Sequence, residues 1–338
     1  MINIGSHTLR NRVALAPMAG VTDVPFRQLA WRLGAPYMVG EMTGSRPELA
    51  NTRKTLLRRE RVRGCVHAVQ IAGTDVNWMA DAVRGAIEGG AEIVDLNFGC
   101  PAKKVCRKAA GSALMANPAQ ILALTQAAVA AAQPAGVPVT VKTRTGPAPD
   151  QRNALELSRA LEQTGISALA IHGRTRACKF VGNVEFDTVA RVKSAVRIPV
   201  FANGDICNPR DARRVLAQTD ADGVMIGRAA LGAPWLPGWI AADLEDRPTD
   251  LPSLFVRLQW LREQLVATHK FYGVEQGVRI ARKHVQWTLA HDTLDEADTL
   301  AGLLSATSRQ ILRAPCANQQ LDLLDSLLGS EPVAVRAA

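Results

Sequence analysis

Eight short apolar runs recur between residues 13 and 226, each followed by a stretch of helical character. No other feature constrains the fold as much. The runs are Val13–Ala16, Tyr37–Gly40, His67–Ile71, Ile93–Leu96, Val139–Lys142, Ala168–Ile171, Val200–Ala202 and Gly223–Ile226. Apolar residues at consecutive rather than alternate positions suit strands covered on both faces, as in parallel sheets. Helix punctuation fills the intervals. Asn117-Pro118 and Asn208-Pro209 each supply an N-cap and a proline at the first helical position. Gly89-Gly90 and Gly165 stand where helices stop. Eight such units predict an α/β TIM (β/α)8 barrel. An open doubly wound sheet can hold the same units, but no GxGxxG turn follows the first run.

Past Trp239 the strand pattern ends. Residues 252–272, 274–290, 293–312 and 317–328 read as amphipathic helices, with Leu254, Leu258, Leu261 and Leu265 at three- and four-residue spacing. Asp246-Arg247-Pro248-Thr249-Asp250 reads as a linker. At 338 residues the chain exceeds one usual core. The expected division is a barrel over 1–243 and a smaller all-α helical domain over 252–330, with a frayed tail from Glu331.

Charge is divided unevenly between these parts. From residue 241 onward 10 Lys and Arg face 13 Asp and Glu, while residues 1–240 hold 30 against 18, a net of +12. That excess favours an anionic partner, nucleic acid being the commonest. No apolar run is long enough for a membrane span, and the first residues, Met1-Ile2-Asn3-Ile4-Gly5, lack a signal-peptide pattern. The six cysteines form no CxxC pair, which suits reduced thiols in a cytoplasmic protein better than disulfides or a metal site.

A barrel delivers its chemistry from the C-terminal ends of its strands. Here those ends include Ala16-Pro17-Met18-Ala19, Gln70, Asn97-Phe98-Gly99-Cys100-Pro101, Lys142-Thr143-Arg144, His172-Gly173-Arg174-Thr175-Arg176, Asn203-Gly204-Asp205 and Gly227-Arg228. So many polar strand ends are costly unless a ligand or water meets them. Glycine turns after the seventh and eighth runs, the latter with Arg228, match the phosphate subsite of this fold. Cys100 stands between Gly and Pro just past a strand, where a side chain enters a pocket. Lys142 either stabilises a developing anion, such as the N1–C2=O edge of a reduced flavin, or closes a buried salt bridge with Asp95 or Glu41. Gln70 and Asn97 suit the edge of an isoalloxazine or a nucleobase. His172 is a ligand of the same pocket or a satisfied structural histidine. The loop Lys103-Lys104-Val105-Cys106-Arg107-Lys108 is a phosphate-contacting surface or a solvated one.

In order along the chain stand APMAGVTD, the glutamine of VQIAG, DLNFGCPAKKV, VKTRTG, IHGRTR, NGDI and IGRA. Together they resemble the flavin-dependent tRNA-dihydrouridine synthases, specifically so through GCPAKKVCRKAAGSAL. Arg279-Ile280-Ala281-Arg282-Lys283-His284 resembles the helical domain of a bacterial B-type subfamily. The resemblance implies FMN at the mouth of a TIM barrel, a helical tRNA-binding domain, NADPH as reductant, and reduction of a D-loop uridine in tRNA to 5,6-dihydrouridine. It carries FMN contacts to Pro17, Met18, Ala19, Gln70, Lys142, Asn203, Gly204, Asp205, Gly227 and Arg228, and the catalytic acid to Cys100. His172 joins the cofactor set by position. Phe98, where relatives often have Met, leaves the mechanism intact. Hydride would pass from the flavin to C6 and a proton from Cys100 to C5, since a thiol of ordinary pKa is protonated at neutral pH. Expected substrate and tRNA contacts are Asn97, Lys103, Lys104, Arg107, Lys108, Arg174, Arg176, Arg279, Arg282 and Lys283. The last three either share one helical face towards RNA or pair with acids of 292–298. No metal, membrane or obligate protein partner is indicated. The alternatives are a small-molecule flavin oxidoreductase of dihydropyrimidine or dihydroorotate type, which needs neither basic loop nor helical domain, and a non-catalytic RNA-binding barrel.

Overall fold

The computed structural model describes residues 1–106, 109–247, 250–292 and 307–329. Strands β1 (Val13–Leu15), β2 (Tyr37–Met38), β3 (Ala68–Ala72), β4 (Ile93–Asn97), β5 (Val139–Arg144), β6 (Ala168–His172), β7 (Val200–Asn203) and β8 (Gly223–Ile226) run parallel, each beside the next. β8 pairs with β1, Ile226 opposite Leu15. A parallel bridge between Val39 and Ala68 joins β2 to β3 and closes the ring. The result is the expected TIM barrel with one irregularity. The second run breaks at Gly40 and resumes at Thr43–Gly44, which pairs with Ile71 and Ala72. A Cβ on Gly40 would lie 3.3 Å from the Arg58 carbonyl, and Glu41 just beyond turns back to accept the Gly20 N–H.

The continuous apolar runs resolve into two faces of period two. Ala14, Tyr37, Val39, Ala68, Ile93, Ala168, Ala170, Phe201 and Met225 fill the barrel, floored by Ile2, Ile4 and Leu9 of an N-terminal hairpin. Val13, Leu15, Val69, Ile71, Val94, Leu96, Val139, Val141, Leu169 and Ile171 face the helices outside. Towards the C-terminal ends the inward positions become Gln70, Asn97, Lys142, His172 and Asn203, so polarity begins where the ring opens.

The outer ring comprises α1 (Val24–Arg32), α2 (Arg53–Arg59), α3 (Val76–Glu88), α4 (Pro118–Ala132), α5 (Ala154–Gln163), α6 (Asp187–Ala195), α7 (Pro209–Thr219) and α8 (Leu236–Leu244). Asp23, Asn117 and Asn208 cap α1, α4 and α7, each side chain accepting the backbone N–H three residues on. Gly89 ends α3.

The chain closes with α9 (Leu254–Tyr272), α10 (Val274–Asp292), α11 (307–313) and α12 (Ala317–Gly329). Leu254, Leu258, Leu261 and Leu265 join Ala281, Val285, Leu289, Ile311, Leu324 and Leu327 in a separate apolar cluster. Of the helix expected over 293–312, residues 293–306 lie outside the described residues, as do Pro248 and Thr249 of the linker. These helices seat on the barrel. Tyr272 donates to Asp23 Oδ2 at 3.1 Å, Thr288 Oγ1 donates to the Gly232 carbonyl at 3.0 Å, and Arg32 pairs with Glu263. No helix among the described residues is long and apolar enough to cross a membrane, and no His/Cys/Asp/Glu group there could hold a metal. All six cysteines are free.

Candidate active site

The strand ends open onto one cavity of about 620 Å3, within the usual range for a cofactor site. β1 sends Pro17, Met18 and Ala19 to it, β3 Gln70, β4 Asn97 and Cys100, β5 Lys142, and β6 His172. The opposite wall is Asn203, Gly204 and Asp205 after β7, with Gly227 and Arg228 after β8. Every expected cofactor and catalytic position thus lines a single space. Gly204, at φ +135°, has no room for a side chain: a Cβ would lie 2.8 Å from Val184 and 3.0 Å from His172. Gly227 differs. A Cβ there would meet nothing nearer than 3.8 Å, so its bare backbone leaves a cradle in the wall.

The Cys100 loop is held from both sides. Asn97 Oδ1 accepts the Cys100 N–H at 2.9 Å and the Gly99 N–H at 3.2 Å. The Cys100 carbonyl accepts the Ser112 N–H and Oγ–H, each at 3.0 Å, and Cys106 Sγ lies 3.6 Å from it. Gly111, at φ +63°, permits this approach, since a Cβ would sit 2.8 Å from that carbonyl. Burial is the first cause that pushes the Cys100 thiol above its usual pKa, so it stays protonated at neutral pH.

Lys142 Nζ donates to Asn203 Oδ1 at 3.0 Å, and Asn203 Nδ2 donates to the Met225 carbonyl at 2.7 Å. Of the two sequence readings of Lys142, a direct salt bridge with Asp95 or Glu41 does not form. Burial first, then the Arg144 charge, lowers the Lys142 ammonium to about 8. Burial and the surrounding cations hold His172 neutral, far below its usual value.

Several expected tRNA contacts stand elsewhere. Arg174 is 3% exposed and gives its guanidinium to Asp205 and the Gly182 carbonyl, so it braces the wall from behind. Asp205 is held between Arg174 and Arg228, the latter at 2.8 Å. Arg176 lies outside the cavity lining. Lys103 and Lys104 fall on a short helix, Lys103–Cys106, while Arg107 and Lys108 lie outside the described residues. The triad on α10 points apart. Arg279 is exposed, Arg282 donates to the Ala314 carbonyl at 3.3 Å, and Lys283 leans on the Gly20 turn beside Asp23 and Glu41.

Arg144, Phe180 and Trp287 are among the lining residues that carried no expected role. Arg144 shares the inward parity of Lys142. It pins the Gly99, Thr175 and Lys179 carbonyls at 2.7, 3.1 and 2.7 Å. Phe180 stands at the rim with the Arg144 and Arg228 guanidinium groups 5.2 and 4.8 Å from its ring centre. Trp287 arrives from α10. Parity would have found Arg144. Nothing in the sequence around Trp287 points to the barrel mouth.

The closed parallel barrel, its cradled mouth and a buried lysine and protonated thiol on one cavity define a class: a TIM-barrel enzyme with its site at the barrel mouth. Solved structures share this fold, among them an old yellow enzyme homologue from Zymomonas mobilis (TM-score 0.52, 15% identity, 74% of this chain and 92% of that one). Another is a 2-naphthoyl-CoA reductase (TM-score 0.56, 12% identity, 73% and 52%). The family model described as "Dihydrouridine synthase (Dus)" matches residues 14–324. The chain is 50% identical over 328 residues to tRNA-dihydrouridine synthase B of Pseudomonas syringae pv. tomato, covering 94% of this chain and 93% of that protein. It is 48% identical over 291 residues to tRNA-dihydrouridine synthase B of Escherichia coli, covering 85% and 89%. The chain belongs to the dihydrouridine synthase family.

Proposed function

We propose that this chain reduces a D-loop uridine of tRNA to 5,6-dihydrouridine in the cytoplasm, with FMN in the mouth cavity and NADPH as reductant. Family membership supports the reaction over the small-molecule alternative. One observation carries the residue roles: the protonated Cys100 thiol, fixed by its backbone, opens onto the same cavity as Lys142 and the Gly204–Gly227 wall. The cavity fits the cofactor. The Gly227 cradle and Arg228 suit its phosphate, and Gln70 and Lys142 suit a flat polar ring edge.

FMN held by Gln70, Lys142, Gly227 and Arg228 would supply the hydride that uracil C6 needs. Cys100 gives its proton to C5 from the other face of the base, where an acid must stand at contact distance. Lys142, as a cation, offsets negative charge at the ring edge. The base has to leave the tRNA stack, at a cost of a few kcal/mol. Phosphate contacts from the basic barrel (1–243) and the helical unit (252–330) offset that cost.

The test separates half-reactions. Cys100→Ala should bind FMN and accept electrons from NADPH normally, while uridine reduction falls roughly 100-fold or more. Equal loss in both half-reactions would make Cys100 a structural residue.

A further inference from the structure

Beneath the cavity runs a chain of hydrogen bonds in which every donor faces the same way. Cys100 N–H donates to Asn97 Oδ1 at 2.9 Å, Asn97 Nδ2 to Gln70 Oε1 at 2.8 Å, and Gln70 Nε2 to Asp95 Oδ2 at 2.7 Å. Thr140 Oγ1 donates to the other Asp95 oxygen at 2.6 Å. Strand register assembles the chain: Asp95 lies opposite Gln70 on β3 and Thr140 on β5. Gln70 and Asn97 line the mouth cavity. Asp95, 3% exposed, lines only the small void below it, with Tyr37, Thr140 and Phe201.

A primary amide can face either way by a half-turn, and its hydrogen-bond partners decide. An ionised carboxylate only accepts. Gln70 must therefore turn its NH2 to Asp95 and its oxygen to Asn97. The Gly99 and Cys100 N–H groups, which can only donate, set Asn97 the same way from the other end: oxygen to them, NH2 to Gln70. Stability alone is a poor reason for a carboxylate here, since a buried charge seldom outperforms a packed apolar group.

We propose that Asp95 is a positioning residue: from below the pocket it fixes which way the Gln70 amide turns, and through Gln70 and Asn97 it braces the backbone of Cys100. The proposal rests on Cys100 being the proton donor, so Cys100→Ala is assayed alongside. Asp95→Leu removes the acceptor. Asp95→Asn keeps one, because its NH2 can turn to the Thr140 hydroxyl, which accepts as readily as it donates.

With FMN saturating, Asp95→Leu should reduce flavin with NADPH within roughly threefold of wild type, but reduce uridine at least about tenfold more slowly, as misplacement of a reacting group does. Asp95→Asn should stay within about threefold in both steps. Equal loss in both steps of Asp95→Leu, or equal damage from Asn and Leu, overturns the proposal. A second arm needs no turnover and holds even if Asp95→Leu fails to fold. Asn97→Asp sets an acceptor against the Gln70 oxygen. Adding Asp95→Asn lets Gln70 turn over and satisfies every group again. The double variant should therefore melt above the Asn97→Asp single variant. A Tm at or below the single overturns the polarity argument whatever Cys100 does.

Discussion

Lys142 enters the cavity with Arg144 on one side and the Asp95 charge below, and its ammonium titrates near 8. The pKa is depressed from the ordinary lysine value, so the cation is present below about pH 8 and lost above it. The uridine half-reaction should slow as pH rises through that value. Cys100, pushed upward by burial, keeps its proton over the same range, so this alkaline limb belongs to Lys142. Lys142→Arg should move the limb upward in a single-turnover pH profile; a limb that stays in place belongs to another group. Arg228 gives a second residue-scale expectation. Its guanidinium is half exposed and shared with Asp205, which screens it, so Arg228→Ala should weaken FMN retention by roughly tenfold, the low end for a charge-assisted contact. Full FMN after dialysis would remove Arg228 from the phosphate site. At this scale the sequence was readable wherever strand-end position alone places a side chain, as for Gln70, Lys142 and Asn203. Arg174 escaped because its burial depends on Asp205 across a turn, which no local pattern encodes.

α9 and α10 show where helical periodicity is sufficient and where it stops. The spacing of Leu254, Leu258, Leu261 and Leu265 marked the apolar seam of α9, since packing demands one stripe. Periodicity also put Arg279, Arg282 and Lys283 on one side of α10. Their neighbours, the Ala314 carbonyl and the Gly20 turn, belong to other elements and draw two of the three away. The effects of substitution should therefore divide. Arg279→Gln should weaken tRNA binding and flatten its salt dependence by about one unit of slope, as loss of one phosphate contact does. Lys283→Gln should leave most of that slope and lower the Tm instead, by loosening α10 against Asp23 and Glu41. Affinity measured across a salt series for both variants, with thermal unfolding, checks this. Equal slopes for Arg279→Gln and wild type would take α10 off the RNA surface.

For the molecule as a whole, barrel class and helical tail followed from the alternation of runs and its end near Trp239. Their junction did not, because it is made by single close approaches. Gly232 is the tightest of them. It sits at φ +72°, and a Cβ there would lie 2.3 Å from Thr288 N and 2.4 Å from the Trp287 carbonyl carbon. Both atoms are helix backbone and cannot turn aside, so Gly232→Ala has to push α10 off the loop after β8. The positive φ alone costs roughly 1–2 kcal/mol, and the displaced helix carries Trp287 away from the cavity it lines. FMN contacts all come from the barrel in this reading, so flavin content should remain near wild type once the protein is folded. Uridine reduction in tRNA should fall steeply while NADPH-driven flavin reduction persists. Flavin absorbance, the two half-reactions and tryptophan fluorescence measure these separately. If Gly232→Ala keeps full activity on tRNA, the seating of α10 has no part in forming the substrate side of the pocket.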